Sequence, residues 1–179
     1  LEVPAFLTAR LFDYFIGDWD RHQGQFTFVR HPSDTGATVT WTVVPEDRDQ
    51  AFIRFDGLIL WLVRQYAPHL LNFGAELPRA GAFAYPGRAL DRWFLVELEW
   101  PTWDSVVTAL VEHLSDSVID GAVRRLPSAY YASDGARLAA ALKARRAQLP
   151  AKAREYYQLL AGEVDVHASD ADETVVVER

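Results

Sequence analysis

One pair of alternating apolar runs interrupts a chain whose periodicity is otherwise helical, and that pair constrains the fold more than any other feature. Phe26 and Phe28 alternate with Thr27, a turn-rich stretch spans His31 to Gly36, and Val39, Trp41 and Val43 alternate with Thr40 and Thr42. Period-two alternation on both sides of a turn predicts a β-hairpin over Gln25 to Val44 with one covered face. Pro45 cannot donate to a ladder, so it ends the second strand and puts Glu46 to Gln50 in the loop beyond. Ahead of the hairpin, Pro4 followed by Leu7, Leu11, Tyr14 and Phe15 at three- and four-residue steps predicts an amphipathic helix that stops at Gly17.

Downstream the pattern is helical. Gly57 and Pro68 bracket a short apolar helix, Leu71 to Pro86 reads as loop, and Arg88 to Leu98 resumes helical character. Thr102 and Ser115 are expected to cap two further helices, the first carrying Val106, Val107, Leu110 and Leu114, the second Val118, Ile119, Ala122 and Leu126. Two more, Gly135 to Leu149 and Ala151 to Leu160, are expected to be separated by Pro150. The acidic tail Glu163 to Glu173 leads into a strand-like run, Thr174 to Val177. The expected fold is α+β, mainly α: a small hairpin with a helical bundle over residues 1–162, and 163–179 as a linker or the start of a following domain.

With 179 residues, half of them hydrophobic, the chain has ample material for one core. A net charge of -7 argues against a nucleic-acid partner, because binding a phosphate backbone needs a concentrated basic surface. The basic cluster Lys143, Arg145 and Arg146 reads as a solvated helix face. Absence of cysteine excludes disulfides and thiolate chemistry. No run approaches the ~20 apolar residues of a membrane span, Leu58 to Val63 being far too short. Absence of methionine suggests excision from something longer. No Walker loop, dinucleotide glycine motif, zinc-protease helix or nucleophile elbow is present.

Chemistry concentrates in two loops. Gly17-Asp18-Trp19-Asp20-Arg21-His22-Gln23-Gly24-Gln25 lies between the first helix and the hairpin, and Pro45-Glu46-Asp47-Arg48-Asp49-Gln50-Ala51-Phe52 follows it. Antiparallel strands bring the loop before a hairpin and the loop after it to one end. Carboxylates and a side-chain amide there suit a hard cation over phosphates, with one carboxylate near an attacking hydroxyl. Asp18 reads as a loop-bonding residue. Asp49 reads either as a second metal contact or as a partner for Arg48 or Arg54, and Arg54 with Asp56 as a structural ion pair. His31, His69, His113 and His167 lack metal-ligand spacing, and the tryptophans, Tyr130-Tyr131 and Tyr156-Tyr157 read as packing residues.

Together the two loops resemble the pattern of the HipA, CotH and Golgi secretory-pathway kinases, over about Leu7 to Gly57. The resemblance implies the C-terminal lobe of an atypical protein-kinase-like phosphotransferase. Asp20 then matches the catalytic aspartate, with Arg21 and His22 completing its triplet as scaffolding. Gln25 occupies the amide position, where the usual residue is asparagine, one methylene shorter. Asp47 matches the metal aspartate, and Phe52 the aromatic position after it. Asp20, Gln25 and Asp47 would face the nucleotide, and Gln25, Asp47 and Asp49 the metal. The implied cofactors are magnesium or manganese, with ATP as cosubstrate and an unspecified hydroxyl as acceptor. An upstream lobe would have to supply the glycine-rich cover and lysine that this sequence lacks.

Further on, Leu90-Asp91-Arg92-Trp93-Phe94, Leu114 to Ile119, Arg125-Leu126-Pro127 and Leu142 through Leu160 look like a segment of bacterial multidomain proteins in which a BamA/TamA-type outer-membrane barrel follows. That likeness implies a periplasmic or outer-membrane-associated setting. The competing expectations are a non-catalytic kinase-like scaffold or interaction domain, and a metal-dependent hydrolase built on Asp47, Asp49 and His22.

Overall fold

The computed structural model describes residues 1–32, 39–54, 62–63, 66, 71–163, 174 and 176. Among them the chain is mixed and mainly helical, with one antiparallel two-stranded sheet. The first helix, α1, spans Val3–Ile16 with Pro4 in its first turn, where the missing N–H loses nothing. It ends at Gly17, whose φ of 78° and N–H bond to the Asp13 carbonyl form a left-handed cap. A Cβ at Gly17 would also stand 3.0 Å from the Phe73 ring, so both backbone angle and space require glycine there.

A single 3₁₀ turn, Gln23–Gln25, leads into β1 (Phe26–Pro32), which pairs with β2 (Val39–Pro45) in a register that sets Phe26 opposite Pro45 and Pro32 opposite Val39. Phe26 and Val43 turn inward, and the Phe26 ring packs against Phe6 of α1 at 5.3 Å. The hairpin and the α1 cap stand where the sequence expectation put them, but the expected covered face is buried only at its near end, since Phe28, Val39 and Trp41 are exposed.

The helical remainder comprises α2 (Ala80–Ala84), α3 (Arg88–Leu95), α4 (Trp100–His113), α5 (Asp116–Val123), α6 (Ser128–Tyr130) and α7 (Ala136–Ala161), with a π turn at Tyr131–Gly135 joining the last two. The core closes around α1, which α3, α4, α7 and β2 all touch. Ser115 caps α5 through Val118 N–H, as expected. α4 instead begins at Trp100 behind Glu99, with Pro101 in its first turn, and not at Thr102.

Three further expectations are corrected. α2 lies inside the stretch read as loop: its Ala80, Phe83 and Ala84 are buried, and tertiary packing holds a sequence too short to be helical alone. Pro150 does not divide the last helix: the buried positions Ala141, Leu142, Arg145, Leu149, Ala153, Tyr156 and Leu160 form one continuous stripe past it. Burial along that stripe outweighs the one lost hydrogen bond. Tyr130, Tyr131 and Trp93 are exposed and not core residues, whereas Tyr156 and Trp103 are fully buried. The apolar helix between Gly57 and Pro68, the Arg54–Asp56 pair, His69, His167 and the acidic tail with its strand-like end fall outside the described residues, save a few positions.

Buried guanidiniums stitch these elements together. Arg10 of α1 makes a two-pronged bond to Asp91 of α3 (2.6 and 2.9 Å), and Tyr156 of α7 donates to the same carboxylate. Arg145 overturns the solvated-face reading. It is buried, and its three nitrogens donate to the carbonyls of Tyr14, Phe15, Gly74 and Glu76 at 2.6–3.0 Å. Its neighbours do remain at the surface, Lys143 on Asp120 and Arg146 on Asp116 and the Leu114 carbonyl.

Candidate functional site

Arg21 organises the end of the hairpin where both candidate loops meet. It is fully buried, and its Nε and Nη2 grip Asp13 of α1 at 2.9 and 3.1 Å while Nη2 also donates to Asp18. Its Nη1 turns the other way and donates to the carbonyls of Gln25 (3.4 Å), Glu46 and Asp47 (2.9 Å). One side chain thereby ties the end of α1, the loop after it and the loop after β2. The backbone adds a second tie, Glu46 N–H to the Gln25 carbonyl at 2.9 Å. On the other side, Gly87 lets the start of α3 approach the Arg21 backbone, since a Cβ there would lie 2.6 Å from the Arg21 carbonyl oxygen.

With every donor engaged beneath the loop, Arg21 positions its neighbours and does not face a ligand. The neighbours divide cleanly. Asp18 is buried as a loop-bonding residue, and burial pushes its carboxyl up to about 6 against the opposing pull of Arg21. Asp20 is half-buried, two residues along on the same loop. His22 is exposed and its Nδ1 accepts from Gly24 N–H at 3.1 Å, a backbone role rather than one of orienting Asp20.

Gln25 is buried, yet its Oε1 has no hydrogen-bond partner. A buried amide oxygen left unpaired is destabilising unless something outside the chain satisfies it. Across the hairpin end, Asp47 is exposed and adopts a left-handed backbone, φ 50°, with its Oδ1 accepting from Asp49 N–H at 3.2 Å. Asp49 accepts from Gln50 Nε2, and Arg48 goes to Asp13 (3.2 Å) instead of Asp49. Phe52 is also left-handed, φ 63°, an uncommon state for a bulky residue. Its N–H bonds the Ile16 carbonyl and its ring meets Phe73 edge-on at 5.2 Å.

Gln25 and Asp47 therefore share one end of the hairpin. Among the described residues no three His, Cys, Asp or Glu side chains stand close enough together to hold a metal, so Asp20, Asp47 and Asp49 do not make a carboxylate cage. Asp47 presents an exposed carboxylate whereas the Gln25 Oε1 is shielded from solvent, so a cation meeting both would need the Gln25 side chain to turn outward, with water or phosphate oxygens completing its shell. Magnesium is commonly held by so few protein ligands.

Sequence reasoning missed Asp13, the carboxylate on which Arg21 and Arg48 both converge, and Arg10, which stands 3.6 Å from it. The available signal was spacing: Arg10 lies three residues after Leu7 and four before Tyr14, on the apolar stripe itself. Comparison with protein-family models, with curated proteins and with solved structures found no match to this chain. Among the described residues, no helix is long and apolar enough to cross a membrane.

Proposed function

We propose that this chain is the catalytic C-terminal lobe of an atypical, kinase-like phosphotransferase that uses ATP with magnesium or manganese. What supports the reading is the shared hairpin end: Arg21 binds the carbonyls of Gln25, Glu46 and Asp47, which brings the two loops together beside the unpaired Gln25 Oε1. In this reading Gln25 and Asp47 hold the cation, which when bound offsets the charge of the phosphates. Asp20 accepts the proton of the acceptor hydroxyl, and its half-buried position leaves it the reach that Asp18 and Arg21 lack. Asp13 and Arg21 keep both loops in place. The proposed setting is periplasmic or outer-membrane-associated, with an upstream lobe covering the nucleotide. A non-turning scaffold is the second reading, favoured by Asp47 and Asp49 already bonding within their own loop.

The test is a comparison of Asp20→Asn and Asp47→Asn in the full-length protein, by magnesium-dependent ATP titration and a phosphotransfer assay. Asp20→Asn should lower transfer by roughly a hundredfold or more while nucleotide affinity stays within about threefold. Asp47→Asn should weaken magnesium-dependent ATP binding itself. Full transfer by the Asp20 variant overturns the assignment, and a wild type that binds no ATP selects the scaffold.

A further inference from the structure

Arg48 stands in the loop after β2, between Asp47 and Asp49, yet its charge is drawn to α1. Its Nε donates to the buried Asp13 at 3.2 Å, and its guanidinium carbon lies 5.5 Å from the centre of the Phe12 ring. Asp13 does not need this partner. Both of its oxygens already accept from Arg21, at 2.9 and 3.1 Å, and Arg10 stands 3.6 Å away. Arg48 is therefore a surplus cation on a carboxylate that is already paired, and its side chain remains 36% exposed.

A guanidinium carries donors on all three nitrogens, in a rigid fork. Here only Nε is engaged; among the described residues neither Nη1 nor Nη2 donates to a neighbour. One hydrogen bond and the face of Phe12 hold the group in place, so little side-chain freedom is left to lose when the open part of the fork meets a ligand. The carboxylates on either side are occupied within the loop: Asp47 accepts from Asp49 N–H at 3.2 Å and Asp49 from Gln50 Nε2 at 3.1 Å. Asp13 also sits in the last turn of α1, from which the loop carrying Asp18 and Asp20 departs. The bond to Asp13 thus anchors Arg48 where the two candidate loops come together.

We infer that Arg48 is the phosphate-binding residue of this site, its Nη1 and Nη2 taking two oxygens of one phosphoryl group of a polyphosphate ligand. Planar, two-pronged recognition of phosphate is what an arginine offers and a lysine does not. The inference rests on the phosphotransfer reading and adds to it a group that grips the phosphates through the protein itself. Calorimetric titration of the full-length protein with ATP and with inorganic pyrophosphate, in magnesium and over a range of salt concentrations, tests it. Arg48→Gln should weaken both ligands about tenfold and flatten the dependence of their affinity on salt, with the urea midpoint close to wild type because Asp13 keeps Arg21. Arg48→Lys should recover only part of the loss. Arg88→Gln, which removes the same charge at a distant surface pair, should leave both affinities unchanged. If Arg48→Gln binds ATP and pyrophosphate as the wild type does, the assignment of Arg48 is overturned and the phosphotransfer reading stands. A weakened variant that keeps the wild-type salt dependence assigns Arg48 a structural role and likewise overturns the inference. A wild type that binds neither ligand at about 10 mM overturns the inference together with the phosphotransfer reading.

Discussion

Arg21 and Arg145 both bury a guanidinium against the C-terminal part of α1, but their charges are met differently. Arg21 has the carboxylates of Asp13 and Asp18 in addition to backbone carbonyls. Arg145 has four carbonyls and no carboxylate among its hydrogen-bond partners, two of them the exposed-dipole end of α1 at Tyr14 and Phe15. Burial pushes the Arg145 guanidinium down to about 10, so it is still charged at neutral pH. Arg145 therefore fastens α7 to α1 through dipoles, which do not titrate, whereas Arg21 fastens the candidate site through ion pairs, which do.

The largest expected effect falls on the dipole-held side. Arg145→Met strips the donor from four carbonyls at once and should destabilise the fold by about 4 kcal/mol or more in urea unfolding. Arg145→Lys keeps a charge but has no planar fork, and should recover less than half of that loss. A lysine variant close to wild type would show that charge alone, not the fork, makes the fastening.

Asp18 offers a smaller and pH-specific test of the ion-paired side. Its folded-state value of about 6 lies above the ordinary 3.8, so between those values the folded chain holds more protons than the unfolded one. The contribution of this group to stability is then greatest below about pH 4, falls as pH rises to about 6, and is flat above, a loss of at most about 3 kcal/mol. Asp18→Asn should remove that falling limb from a series of unfolding curves between pH 4 and 7. An unchanged limb would mean that Arg21 fully compensates the ionised carboxylate.

The smallest effect belongs to charges outside both networks. Arg88 pairs with Glu163 where each side chain is about half exposed, 44% and 52%. Arg88→Gln should shift stability by less than about 0.5 kcal/mol, with high salt erasing even that.

Legibility in the sequence followed the same division. Local rules sufficed for α1 between Pro4 and Gly17, for the hairpin from its alternating aromatics, and for the Ser115 cap, because each is decided within a few residues. They also brought Gln25 and Asp47 to one end of the hairpin. They failed where distant packing decides. α2 and the unbroken course of α7 past Pro150 exist because other elements cover them. Arg145 read as surface because its carbonyl partners, 69 to 131 residues away, have no sequence signature. Asp13 was overlooked for a related reason: a carboxylate inside an apolar helix looks anomalous only once its arginines are placed.

Chain entropy gives the Arg21 clamp a further meaning. Its partners lie 3 to 26 residues away, whereas those of Arg145 lie 69 to 131 away. Closing a loop about five times longer adds about 1.4 kcal/mol of lost freedom before any contact is made. The loops around Asp20 and Asp47 can thus come together within the first fifty or so residues, as a local event, while the docking of α7 onto α1 has to wait for most of the chain.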